Sequence, residues 1–491
     1  MRPKRCNLAT SSATALGFLC VAFLSGSATA QVEVADGETL TEGALASGTF
    51  MGRGFTLAPG TVFNVNDDGV IGPVGDTSTF PDTPFDFGGS TVNVNSGGFF
   101  DGSSSVSNIV LNLFGDGGVG RNFSASNGST VNFSGGSAEG SFGALTGSTV
   151  NISGGSFGVG FGASDGSEVN ISGGEFMLNG APVSSVDSVA FGDVLSGVLA
   201  DGSAFIFNGF EGDSIASGTT TLQTTTVEPA DATPMVVSSG DATTKGLRTG
   251  QTLTITGDAR VRGGFDAIGG TLNIQAGSVG NGLTTLDTDV NISGGSVGEF
   301  YDAFGVVNIS GGDVGLSFAA REGSTVTISG GTLARFSGAR SGSTVNIQGG
   351  SVGEAFSASG SVNISGGTVG DGFGALSGST VNISGGSIGD GFLADSGSTV
   401  NLFVTDVAID AQALGLSLGE TIEITQRGGV LLEATLADGS LFDLRLNEIA
   451  AFGEDFIDPR ATLTVTRVPM PGTAGALGLA GFVAARRRRR R

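Results

Sequence analysis

Val381-Asn382-Ile383-Ser384-Gly385-Gly386-Ser387-Ile388-Gly389-Asp390-Gly391-Phe392-Leu393-Ala394 is the stretch from which a fold can be derived. With Val381 counted as position 0, apolar side chains stand at positions 0, 2, 7, 11 and 13. Positions 0 and 2 alternate as a half-buried strand requires, which turns Asn382 to the opposite face. Gly385 and Gly386 come next. A glycine pair takes backbone angles closed to other residues, so a corner is expected there. Ile388 then opens a second short strand, and Phe392 with Ala394 a third. Pieces this short make neither a stable helix nor a freestanding sheet.

The phrase recurs along the chain. Anchored on the first residue of each Val-Asn-Ile-like triplet, copies begin at Val92, Leu111, Val131, Val150 and Val169, with a degenerate one at Phe63. A second series begins at Leu272, Val290, Val307, Val326, Val345, Val362, Val381 and Val400. Within each series the clear copies are 17–20 residues apart. Aromatic and alanine positions keep phase as Phe142/Ala144, Phe161/Ala163, Phe318/Ala320, Phe356/Ala358, Phe373/Ala375 and Phe392/Ala394. A disordered Gly/Ser tract has no reason to hold that phase. The pattern predicts an all-β chain, a parallel β-solenoid (β-helix) with coils of about 19 residues. Each strand then pairs with its copy one coil away, about 4.8 Å along the axis.

After each series the pattern stops and similar sequence follows. Leu199-Ala200-Asp201-Gly202-Ser203 returns as Leu436-Ala437-Asp438-Gly439-Ser440, and Thr-rich strand candidates lie near Thr219 to Thr226 and Ala461 to Thr466. This suggests two tandem solenoid halves, each closed by a non-repetitive β module that covers the exposed last rung. The expected divisions are residues 1–30, 31–235, 236–467 and 468–491, with the central boundary near Ala230–Asp241. Residues 70–90, which contain Pro73, Pro81 and Pro84, read as a loop or irregular rung.

Composition narrows the chemistry. The 491 residues include 89 Gly and 34 Phe, one Tyr, no His and no Trp, and the only cysteines are Cys6 and Cys20. Downstream of residue 20, imidazole catalysis, His or Cys metal ligation, disulfides and thiol nucleophiles are therefore excluded. No Walker motif, HExxH, GxSxG elbow or tandem GGxGxD calcium repeat occurs.

The two ends read as processing signals. Arg2, Lys4 and Arg5 precede an apolar run from Ala15 to Leu24, and Ala28 and Ala30 supply the small residues of a signal-peptidase site. At the other end Val468-Pro469-Met470-Pro471 leads into a 14-residue apolar run and six arginines, Arg486 to Arg491. This tail resembles PEP-CTERM sorting signals, through Val468, Pro469, Pro471 and the basic block that includes Arg486, Arg487 and Arg488. Met470 stands where that family has glutamate. The resemblance implies handling by an exosortase-like sorting enzyme after export, with transient or retained membrane anchoring. Loss of three basic residues with the first segment and six with the last would leave 13 against 46 acidic ones, a charge of about −33. Such a surface repels nucleic acid.

The candidate sites are few. Glu354, Asp371 and Asp390 share position 9 on three consecutive coils, and stacked carboxylates favour either a hard cation such as calcium or rotation into water. No other cofactor is indicated. Arg260 and Arg262, two apart on an expected strand with Asp258 and Asp266 nearby, form the best basic-plus-acidic cluster in the chain. The Asn column at position 1 reads as a stacked amide ladder, or alternatively as a carbohydrate-binding face. The expected function is that of an exported structural or adhesive protein of the cell envelope or extracellular matrix, without turnover, whose partners are signal peptidase, the sorting enzyme and extracellular polysaccharide or matrix. The rival is an extracellular carbohydrate-binding or carbohydrate-active β-helix protein, by analogy of fold alone.

Overall fold

The computed structural model describes residues 31–34, 39–40, 62–65, 70–71, 85–100, 105–138, 140–210, 212–242, 245–449 and 453–469. They form an all-β parallel β-solenoid of about 16 turns. The chain divides into two compact units, Met1–Pro229 with Thr243–Gly246, and Ala230–Ala242 with Leu247–Arg491.

In the second unit one coil consists of Thr325–Ile328, Thr332–Leu333 and Gly338–Ala339. Each piece lies parallel to its copy in the next coil: Val326 opposite Val345, Leu333 opposite Val352, Ala339 opposite Ala358. Identical positions therefore pile into columns. Val326, Val345, Val362 and Val381 are fully buried, as are Ile328, Ile347 and Ile383. Phe356, Phe373 and Phe392 stack face to face with ring centroids 5.8 and 5.4 Å apart. In the first unit Phe123, Phe142 and Phe161 do the same at 5.9 and 5.6 Å, and Phe207 continues the stack at 4.6 Å. Each buried aromatic contributes about 1.5–3 kcal/mol of transfer free energy, so the columns form a continuous axial core in each unit.

The glycine corner differs from expectation in one respect. Thr380–Ile388 is a single strand that runs through Gly385 and Gly386, with register shifts at the bend. Gly386 has φ +86°, and a Cβ there would lie 2.9 Å from the Gly366 carbonyl one coil back. The ladder bends through the corner because both residues lack side chains. Two rungs also precede the second series. Thr252–Ile255 pairs in register with Thr271–Ile274, and Met235–Val237 pairs with Thr252–Ile255. Residues 85–90 are part of the strand Phe85–Val94 rather than a loop.

Both units end on the same device. In the first, Glu168–Leu178 runs past the corner and pairs antiparallel with Val194–Leu199, which forms a hairpin with Ala204–Asn208. The chain then lays down one last rung, Ser214–Ile215 on Gly162–Ala163 and Thr220–Thr224 on Glu168–Leu178. In the second, Thr399–Ile409 pairs with the hairpin Val430–Leu436 and Leu441–Leu446, and the last rung is Phe456–Ile457 followed by Thr462–Arg467. There Thr421–Glu423 adds an antiparallel strand on the other edge of Thr462–Arg467. That strand occupies the edge on which another coil would otherwise stack.

A carboxylate locks each closing module to the coil below. Asp213 Oδ1 accepts the N–H groups of Gly160 and Phe161 at 2.8 and 2.6 Å, and its Oδ2 accepts that of Asn208 at 2.6 Å. Asp455 does the same for Gly391 and Phe392 at 3.1 and 2.9 Å and for Arg445 at 2.9 Å. The repeated Leu-Ala-Asp-Gly-Ser phrase is the hairpin turn. Asp201 accepts the Ser203 N–H at 2.8 Å and Asp438 that of Ser440 at 2.8 Å, while Asp438 Oδ2 also accepts the Gly386 N–H at 2.8 Å.

Candidate functional site

The most regular polar feature is the Asn column. In the first unit Asn93, Asn112, Asn132, Asn151 and Asn170 each donate Nδ2–H to Oδ1 of the amide one coil earlier, at 2.7–3.0 Å, starting from Asn64. In the second unit Asn291 and Asn308 donate to Asn273 and Asn291 at 3.0 Å, and Asn273 donates to Thr254 Oγ1 at 3.4 Å. Thr327 interrupts the column, which resumes from Asn346 through Asn363, Asn382 and Asn401 at 2.8 Å. Thr464 of the last rung closes it, its hydroxyl donating to Asn401 Oδ1 at 2.7 Å. The amides thus satisfy one another along the axis. The neighbouring hydroxyls of Ser134, Ser153 and Ser384 likewise donate to main-chain carbonyls of the preceding coil, at 3.1–3.3 Å.

Glu354, Asp371 and Asp390 lie one per coil on an exposed corner. Asp371 Oδ1 accepts the main-chain N–H of Asp390 at 3.0 Å. Among the described residues no three acidic, His or Cys side chains gather into a group that could hold a metal ion. Arg260 lies in the two-residue strand Arg260–Val261, and both Arg260 and Arg262 are exposed. Asp266 belongs to a different piece of the coil, Asp266–Ile268, and is buried.

A polar cluster that sequence reading did not find lies farther along the second unit. Tyr301 takes position 11 of its coil, where other coils have Phe. Its ring packs edge-on against Phe318 at 5.1 Å, and its hydroxyl meets Thr285 Oγ1 at 3.3 Å in the interior. Burial pushes the phenol well above its ordinary pKa, the Thr285 hydrogen bond opposing and the Asp302 charge adding to the rise. The next residue, Asp302, points to the outer face yet is fully buried, because Arg321 of the following coil lies over it. Arg321 Nε and Nη2 grip the two carboxylate oxygens at 2.7 and 2.9 Å. This bidentate pair is charge-assisted and geometrically specific. Removing either partner alone would leave a buried charge, at a cost of about 3–5 kcal/mol.

One coil beyond, the outer corner carries Arg335 and Phe336. The Arg335 guanidinium carbon lies 5.1 Å from the Phe336 ring centroid, and Phe336 is 54% exposed. Arg340 follows on the adjoining strand face, with Nη1 3.5 Å from Ser357 Oγ. The sequence signal was present: Phe336-Ser337 inverts the order of Ser317-Phe318 in the coil before.

Val468 continues from the last strand, its N–H donating to the Val404 carbonyl at 2.8 Å, and Pro469 is exposed. Ala28, Ala30, Pro471, Arg486, Arg487 and Arg488 lie outside the described residues. Among the described residues no helix is long and apolar enough to cross a membrane. Compared with known proteins, the chain matches no family model and no curated protein. Fold and polar inventory make it an acidic parallel β-solenoid with a half-buried amide ladder on its outer face and a closing β module at the end of each unit.

Proposed function

We propose that this is an exported structural or adhesive protein of the cell envelope or extracellular matrix, without turnover. The observation that carries this reading is where the polar groups are used. The amides bond to amides, the buried carboxylates Asp213 and Asp302 hold main-chain N–H groups or Arg321, and Asp455 holds the last rung of its unit. Each solenoid unit so built repeats its outer faces along its own axis, which suits it to presenting a surface. The ends of the sequence support delivery outside the cytoplasm: a signal-peptidase site at Ala28 and Ala30, then a tail with Val468, Pro469, Pro471 and the arginines from Arg486 for an exosortase-like enzyme.

The test is fractionation of the producing cells with mass spectrometry of both mature termini. A chain beginning at Gln31, shortened after the Pro469/Pro471 motif and found in the envelope or matrix fraction, is the expected result. An intact chain in the cytosol overturns the reading. Release of reducing sugar from polysaccharide by the purified chain would favour the carbohydrate-active alternative instead.

A further inference from the structure

The coil that begins at Val326 breaks the pattern of its neighbours at Thr327 and again at positions 10 and 11. Positions 10 and 11 are Ser317-Phe318 in the coil before and Ala355-Phe356 in the coil after, but Phe336-Ser337 between them. The aromatic has moved from the interior to the surface. Inside, Ser337 is 1% exposed and its hydroxyl donates to the Ala334 carbonyl at 2.7 Å, so the Phe column loses a member. Outside, Phe336 holds φ +62°, a left-handed conformation that the neighbouring coils also take at this corner and that Phe300 holds at +60° two coils earlier. Gly372 and Gly391 show the residue that suits this corner, with φ +76° at both. The departure from the pattern is therefore at the pair as a whole: the aromatic stands at the surface and a hydroxyl fills the interior position, with no gain in packing.

The surroundings say what such a position would take. Ser317 and Ala355 flank Phe336 along the corner, the Ser317 N–H bonding to the Arg335 carbonyl and the Phe336 N–H to that of Glu354 at 3.0 Å. Their small side chains leave the ring uncovered in both axial directions. Arg335 stands over that ring, and among the described residues no ion pair of Arg335 is recorded. Arg340 on the adjoining strand face is half-buried and meets Ser357 Oγ at 3.5 Å, and Arg321 is held by Asp302. A chain of net charge −24 has here three arginines within 20 residues, Arg321, Arg335 and Arg340. An exposed aromatic face accepts the C–H face of a sugar ring, and a guanidinium beside it accepts a carboxylate in fork geometry.

We propose that the Arg335–Phe336 corner binds a carboxylate-bearing polysaccharide. Local charge selects this occupant, because a neutral glycan leaves the exposed Arg335 guanidinium unused. Glu354, one coil beyond Arg335, opposes the ligand's charge and tempers its affinity. The proposal rests on the reading of the protein as one that meets extracellular matrix.

The test measures binding of the full chain to sodium alginate and to neutral dextran in calcium-free buffer at physiological salt. Alginate binding without dextran binding is expected. Arg335→Gln should weaken it about tenfold or more, the loss of one charge-assisted contact. Phe336→Gly should weaken it several-fold while leaving the fold at least as stable, since it removes the positive-φ side chain. Glu354→Gln should tighten it. Equal alginate binding by wild type and Arg335→Gln, equal binding of dextran, or no alginate binding at all overturns the proposal. So does self-association that Arg335→Gln abolishes, because the corner would then serve a second copy of the chain. Chains that reach the matrix fraction yet ignore alginate would sink this inference and leave the proposed function standing.

Discussion

Tyr301 is the single tyrosine of a chain that lacks Trp, so the phenolate absorption band reports on one residue. The folded interior favours its neutral form, and an unfolded chain ionises near pH 10. Its raised pKa therefore contributes stability that is fully present below about pH 10 and is lost as the pH rises toward the folded value. The expected outcome of an alkaline titration is that the phenolate band appears only as the far-ultraviolet β signal disappears. Tyr301→Phe should move unfolding to higher pH. A normal phenol titration with the β signal intact would show that the hydroxyl reaches solvent. The burial of Tyr301 was legible in the sequence, because position 11 is Leu283 in the coil before and Phe318 in the coil after. The burial of Asp302 was not. A carboxylate at outward position 12 reads as solvated, and only the path of the long Arg321 side chain across the coil boundary covers it.

At the scale of elements, the closing modules rest on single carboxylates. Asp455→Ala would free the N–H groups of Gly391, Phe392 and Arg445, and each donor left buried and unpaired costs about 1–3 kcal/mol. Amide hydrogen exchange should accelerate at Gly391, Phe392 and the last rung while the coils from Val326 to Val362 keep their protection. Asp455→Asn, which retains one acceptor oxygen, should fall between. Uniform acceleration along the unit would mean that the module governs global stability instead. The turn phrase containing Asp201 and Asp438 was legible as a duplication. The clamps were not, since Asp213 lies 12 residues beyond Asp201 and Asp455 lies 17 beyond Asp438, so no fixed spacing marks them. The rungs at Met235 and Leu253 escaped notice for a related reason: Leu253-Thr254-Ile255 lacks both the Asn and the Gly-Gly corner that define the phrase.

For the whole molecule the governing quantity is charge. With 46 acidic residues against 22 basic ones, the folded chain repels itself and gains from screening. Thermal unfolding in calcium and in magnesium at matched ionic strength should give similar increases in midpoint. The E354Q/D371N/D390N variant should keep calcium and magnesium equivalent, because the three carboxylates are exposed and Asp371 is already engaged by a main-chain N–H. A calcium-specific rise lost in the variant would establish a metal site at that corner. The sequence placed these acids on one corner correctly by period. It could not say whether their side chains converge, since that depends on rotamers and on the hydrogen bond that Asp371 makes.

Because the strands of the second unit stack in register on their copies, the length of that unit is a countable trait. Excision of residues 381–399 joins Thr380 to Val400, and Val400 then meets Val362 as Val381 did. The clamps find their partners again, Asp455 at Gly372 and Phe373 and Asp438 at Gly367, each 19 residues before its present one. Unequal recombination between near-identical coils would therefore lengthen or shorten the second unit in whole steps of about 4.8 Å without designing a new interface. Reach can be inherited as a number of turns, while the ends that stop growth stay the same.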